Sequence, residues 1–186
     1  RLGSIGDRFQ EIVTALAKAQ VEYDIGCENI MARHGSVEGA ELVVGGRRYH
    51  TVVLPPHTEN LNTKTVSLLQ AYVKAGGTVL CCGSPPTLID GRSSDCGQVA
   101  ARCPTWKQVE PDDGFTRLLL SRSEDGFVIR RADNDAGILF HHRRQLDDGD
   151  LLFLTNTSIA SPTSRTRRPR RRRSCSRCGT SRSTSR

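Results

Sequence analysis

No stretch of this chain approaches the roughly 20 consecutive apolar residues of a membrane-spanning helix. Nor does any charged segment lead into an apolar run of the secretory type. No membrane partner is expected. The last part of the chain lacks more: after Pro162 there is no acidic residue, and no Phe, Tyr or Trp either. An arm of that composition cannot bury a core and gives nucleic-acid bases nothing to stack on. It can only present charge.

That charge is concentrated. Ten arginines (Arg165, Arg167, Arg168, Arg170, Arg171, Arg172, Arg173, Arg177, Arg182 and Arg186) lie in the arm, out of 27 Lys and Arg in the whole chain. Removing the ten leaves 17 basic against 20 acidic residues, so residues 1–161 carry about −3 while the whole chain carries +7. A protein that binds nucleic acid through its folded surface needs a basic face. Here only the arm qualifies.

The cysteines form no framework. Cys27, Cys81, Cys82, Cys96, Cys103, Cys175 and Cys178 are odd in number and irregular in spacing. Cys81 and Cys82 adjoin on an apolar run, as buried thiols do. Cys175-x-x-Cys178 has the spacing of half a zinc knuckle, but no second ligand pair accompanies it. His141 and His142 are adjacent on an expected strand and point to opposite faces. No metal and no cofactor is implied.

The rest of the chain alternates helix and strand signals. "DRFQEIVTALAKAQ" puts Phe9, Ile12, Val13, Leu16 and Ala19 at helical spacing from Asp7 to Gln20, with Ser4 or Asp7 as N-cap. "VEYDI" then reads as a short strand and "CENIMARHG" as a turn or short helix ending at Gly35. Gly45-Gly46 separates two apolar runs, the second of which, "TVVLPP", is continuous, as in a strand covered on both faces of a parallel sheet. "NTKTVSLLQAYVKAGG" places Val66, Leu69, Tyr72 and Val73 on one helical face between Asn62 or Thr63 and Gly76-Gly77. "TVLCCG" is the next strand, so a βαβ unit is expected.

"PDDGFTRLLLSRS" reads as a helix and "GFVIRRAD" as a strand. "GILFHHRRQL" and "LLFLTNT" flank "DDGD", in which Asp148-Gly149 suits a tight hairpin turn. In "HHRR" the side chains should alternate between the two faces of the sheet, with the arginines toward water. Successive strands without helices mark a change from α/β to antiparallel β structure.

The order of these segments resembles a known family. "YHTVVLPPHTENLNTKTVSLLQAYVKAGGTVLCCGSPPTLIDGR", preceded by "FQEIVTALAKAQVEYDIGCENIM" and followed by "GILFHHRRQLDDGDLLFLTNTS", is similar to the class I glutamine amidotransferase-like domain of large bacterial glycoside hydrolases. These include the α-L-rhamnosidase-type family and β-galactosidases with a trimerisation domain. The likeness covers most of 7–157 and is strongest over 37–92. It implies an α/β fold with a flavodoxin-like sheet and flanking helices over 1–122, and the first antiparallel strands of a β-sandwich over 123–161. Residues 162–186 form the Arg/Ser-rich tail.

Amidotransferases use a nucleophilic Cys at the sharp turn after a strand. Aligned on "AGG", the resemblance puts that position at Gly83, one residue beyond Cys82. Neither the glycine pattern of a nucleophile elbow nor a catalytic His-x-Glu follows. Cys82 is therefore a weak candidate nucleophile beside the simpler reading of a buried strand cysteine. His57, Glu59 and Asn60 follow "VVLPP", where open α/β sheets bind ligands, and are the candidate ligand residues. The alternative is a polar loop leading into a helix. A (β/α)8 barrel needs about 200 residues or more, so the catalytic barrel of such hydrolases has to lie outside this chain.

The expectation is thus a non-catalytic scaffold module of a hydrolase acting on polysaccharide. Its partners would be the parent's catalytic barrel, in the same polypeptide, and further copies of itself in a homo-oligomer. A chain opening on Arg1 rather than Met reads as a piece of a longer protein, whose compartment could be cytoplasmic, periplasmic or extracellular. Two other readings stand beside it: a nucleic-acid-binding protein acting through the arginine-rich tail, and, more distantly, an amidase using Cys82. From about Ser164 the residues are of types with G- and C-rich codons, as expected if a gene is read out of frame there; otherwise the arm is genuine and disordered.

Overall fold

The computed structural model describes residues 2–122, 129–130 and 139–156. Two helices, α1 (Leu2–Lys18) and α2 (Glu28–His34), precede an antiparallel meander of β1 (Gly35–Glu38), β2 (Glu41–Val44) and β3 (Arg47–Tyr49). Next come β4 (Thr51–Leu54), β5 (Asn60–Leu61), α3 (Thr63–Lys74), β6 (Thr78–Cys81), β7 (Leu88–Ile89) and β8 (Arg92–Ser93). Then follow α4 (Cys96–Ala100), β9 (Trp106–Gln108), α5 (Asp113–Leu120) and the hairpin of β10 (Leu139–Leu146) with β11 (Gly149–Asn156). The fold is mixed α/β with several small sheets, one of them parallel. The strand expected at "GFVIRRAD" falls largely outside the described residues, as does the tail with Cys175 and Cys178.

The parallel sheet runs β4-β6-β9, with Thr51 opposite Thr78 and Val79 opposite Trp106. The apolar runs "TVVL" and "TVLC" are continuous because both faces of this sheet are covered. On one face Val79 and Cys81 join Leu54, Leu69, Tyr72, Val73 and Trp106. On the other Leu80 and Cys82 join Ile12 and Leu16 of α1, and Phe115 and Leu119 of α5. Period-two alternation along four residues, Val79 to Cys82, thus divides the core into two halves. Helix α3 contributes the expected Val66, Leu69, Tyr72 and Val73, all buried.

Three expectations are corrected. "VEYDI" pairs with nothing in a ladder: 21–27 has no regular structure. Its side chains are instead held individually, with Val21 in the core, Glu22 on Arg143 and Asp24 on Tyr49. Helix α1 begins at Leu2, so Ser4 and Asp7 lie within it and neither is its N-cap. Ile5 extends the apolar stripe of Phe9, Ile12 and Leu16 back by one turn, which carries the helix past both, although Phe9 itself remains exposed. The β10–β11 turn is Asp147-Asp148, flanked by the pair Leu146 and Gly149; positive φ occurs at other described residues, not at Asp148 or Gly149.

Asn62 has the extended backbone of an N-cap, but its side chain makes no capping bond. Asp90, in the turn between β7 and β8, does the work from a distance. Its carboxylate accepts from the Thr63 N–H at 3.2 Å and from the Thr63 hydroxyl. These bonds hold the Asp90 carboxyl below the usual carboxylate range. Asp90 and Gly91 both have positive φ, as a type I′ two-residue hairpin requires. At α5 the cap is local, the Asp112 carboxylate accepting from Phe115 N–H at 3.0 Å.

Gly77 lets β6 approach α3. A Cβ there would lie 2.1 Å from Cε2 of Tyr72, a ring with no solvent exposure. Gly77→Ala should therefore lower the unfolding free energy by about 1–3 kcal/mol in urea titration. Gly46→Ala, with nothing within 4 Å of its Cβ, should stay within about 0.5 kcal/mol. Equal effects at the two sites would contradict this packing.

Candidate functional site

Cys81 and Cys82 lie at the carboxyl end of β6, the place from which a thiol nucleophile would act. Both are buried, at 1% and 3% exposure. The Cys81 thiol lies 3.4 Å from the carbonyl of Gly83 and 3.7 Å from that of Ser84, donating to both. Burial, the neighbouring Cys81 and Glu110 push the Cys82 thiol up to about 12. A reactive cysteine needs the opposite, a thiolate favoured by a base or a positive neighbour. His57 is exposed and makes no hydrogen bond to Cys82. Gly83, where the resemblance puts the nucleophile, has φ of 134° and no side chain.

The loop after β4 places His57, Glu59 and Asn60 at the surface. His57 has φ of 63°, unusual for a residue other than glycine. The Thr58 hydroxyl donates to Pro55 O at 2.7 Å, and Glu59 O accepts from the N–H groups of Thr87 and Leu88. Asn60 Oδ1 accepts from Gly91 N–H at 2.7 Å. The amide oxygen of Asn60 is thus spent on joining β5 to the β7–β8 turn, and the stretch is knitted by local bonds.

A concavity lies elsewhere among the described residues. A cleft of about 580 Å³ is lined by Glu22, Tyr23 and Asp24 after α1, by Arg47, Arg48 and Tyr49 of β3, and by residues of β10. Gln20, with φ of 63°, ends α1 and donates through Nε2 to Ala17 O at 3.0 Å and to Leu139 O at 3.2 Å, fastening the hairpin to the helix. Glu22 is the centre of the polar wall. Arg143 Nε lies 3.3 Å from its Oε1 and His141 Nε2 3.5 Å from the same oxygen.

The alternation expected of "HHRR" holds, but one of its faces is covered. The side chains of His141 and Arg143 are only 2% and 10% exposed, whereas His142 and Arg144 face outward. Arg143 therefore does not face water: Glu22 and Asp150, the latter at 3.8 Å, give it partners that make burial tolerable. Across the cleft, Tyr49 donates to Asp24 Oδ2 at 2.8 Å. Desolvation and that carboxylate push the phenol up to about 12. Arg48 spans Glu38 at 2.6 Å and Glu41 at 2.7 Å.

None of these residues was legible as a site. Glu22, Tyr49 and Arg143 are far apart in sequence and form no spaced motif. The nearest signal is the period-two pattern of "HHRR", which says which residues share a face without saying what covers it. Comparison with protein-family models, with curated proteins and with solved structures finds no match to this chain.

The sealed thiol has a pH signature. Because the folded state raises the Cys82 pKa from 9.0 to about 12, above pH 9 the unfolded chain binds fewer protons than the folded one. Stability from this group is thus full below the ordinary thiol range and lost as pH rises through it to about 12. Urea midpoints should fall across that window and fall less steeply in Cys82→Ala, with Cys81 and the raised phenols of Tyr49, Tyr72 and Tyr23 contributing to the remainder. An unchanged slope in the variant would contradict a buried, protonated Cys82.

Proposed function

We propose that this chain is a non-catalytic accessory module of a glycoside hydrolase acting on polysaccharide, working as a scaffold rather than cutting the sugar. The observation that carries this reading is the β10–β11 hairpin. Leu151, Leu152, Phe153 and Leu154 of β11 are 39–66% exposed and alternate between its two faces. β11 pairs with β10 on one side and with no other described strand. A two-stranded hairpin is marginal alone, and an apolar open edge is a liability unless something covers it. In a β-sandwich begun by these strands, further strands and the catalytic barrel would be the cover.

Other features are consistent with the same reading. The parallel β4-β6-β9 sheet is helix-covered on both faces, which supports reading it as a small flavodoxin-like sheet. Thiols held as neutral, buried groups suit an amidotransferase-like scaffold without its chemistry. The nucleic-acid alternative rests on residues 165–186 alone, against the acidic balance of the body.

Recovery of the encoding DNA with its flanks tests the reading. An upstream frame for a (β/α)8 barrel with paired carboxylates, and alternating apolar strands in another frame after about Ser164, are the expected result. Flanks encoding neither would overturn it. With the barrel in hand, Leu151→Ser together with Phe153→Ser should abolish its association with this module while shifting the module's own unfolding free energy by only about 0.5 kcal/mol. Undiminished association would place the interface elsewhere.

A further inference from the structure

We propose that the cleft between the end of α1, β3 and β10 is a binding site for one or two rings of a neutral saccharide, a ligand class that rests on the accessory-module reading and on the charge of the cleft's own walls. Its volume, about 580 Å³, is within the range of about 300–1,000 Å³ usual for small-molecule sites. Tyr23, Tyr49 and Phe140 supply aromatic surface, and Tyr23 is 37% exposed. Such rings give a sugar's C–H faces an apolar partner, and the Tyr49 hydroxyl stays hydrogen-bonded to Asp24.

Charge decides which ligand. Three arginines line the cleft, but Arg143 is engaged by Glu22, and Arg48 by Glu38 and Glu41. Arg47 is exposed and has no ion pair among the described residues, but the carboxylates of Glu22 and Asp24 in the wall and of Glu38 and Glu41 on Arg48 outnumber the three arginines. No surplus positive charge is left to hold a phosphate or a polyanion. What the walls offer is a mixture of donors and acceptors, with the Glu22 carboxylate paired to the buried Arg143. Hydroxyl groups, each able to donate and accept, match such a surface. The buried polar wall also keeps the site's geometry fixed before the ligand arrives.

The test uses the intact 186-residue chain, titrated with L-rhamnose, D-galactose and methyl β-D-galactopyranoside, and with D-galacturonate and inorganic phosphate as charged probes. Backbone amide shifts are followed by NMR. Saturable shifts in the millimolar range are expected from at least one neutral sugar, at residues 22–25, 47–49 and 139–143. Tyr23→Ala should weaken binding at least tenfold. Arg47→Ala, an exposed position, should also weaken it should Tyr23→Ala fail to fold, and Lys64→Ala on α3 should leave it unchanged.

No saturable shift from any neutral sugar, tighter binding of galacturonate or phosphate, or full affinity in both cleft variants would overturn the assignment. A cleft that binds no sugar, on a module that still docks an upstream barrel through β11, removes the site and leaves the accessory reading in place. Saccharide binding at these residues without an encoded barrel does the reverse.

Discussion

Everything in the body of this protein leans on β6. Val79, Leu80 and Cys81 have 0%, 0% and 1% of their surfaces exposed, and their side chains alternate between two separate halves of the core. Neither half could form without the other, because removing β6 would uncover α3 on one side and α1 with α5 on the other. The strand is short, so the constraint is geometric: parallel neighbours β4 and β9 must lie in register on both flanks, and Gly77 must admit the Tyr72 ring just before the strand begins. Burial at this density is what raises the Cys82 thiol. The same packing that stabilises the domain removes its most tempting nucleophile.

The hairpin obeys a different logic. Whereas β6 is covered on both faces, β11 carries four large apolar side chains, all substantially exposed. Strand β10 is fastened to the body through Gln20 just after α1 and through Glu22, which binds the Arg143 fork. A well-covered body thus carries an exposed apolar edge on a polar hinge. The cleft lies at the junction, where both parts contribute walls.

The elements that were legible in sequence are those whose burial is set locally. The continuous runs "TVVL" and "TVLC" announce strands hidden on both sides, and Val66, Leu69, Tyr72 and Val73 share a helical face whatever they pack against. "VEYDI" misleads because β-branched and aromatic residues suit a strand, yet Glu22 and Asp24 are claimed by Arg143 and Tyr49 from distant segments. The Asp90-Gly91 turn was not read from the sequence, and its second role, capping α3 through Thr63, depends on tertiary placement. The cleft is the extreme case. Its walls come from three segments separated by roughly twenty to ninety residues, so no local pattern could disclose it, and the "HHRR" alternation revealed only half of the Glu22 cluster.

Amide hydrogen exchange on the intact chain tests the central claim, that a fully covered β6 supports a module whose β11 edge awaits its cover. The amides of Val79, Leu80 and Cys81 should be the slowest to exchange, opening only with global unfolding. The β11 amides that do not pair with β10 should exchange orders of magnitude faster. Equal protection of β11 and β6 would contradict the account, because it would mean that the edge is already closed within this chain.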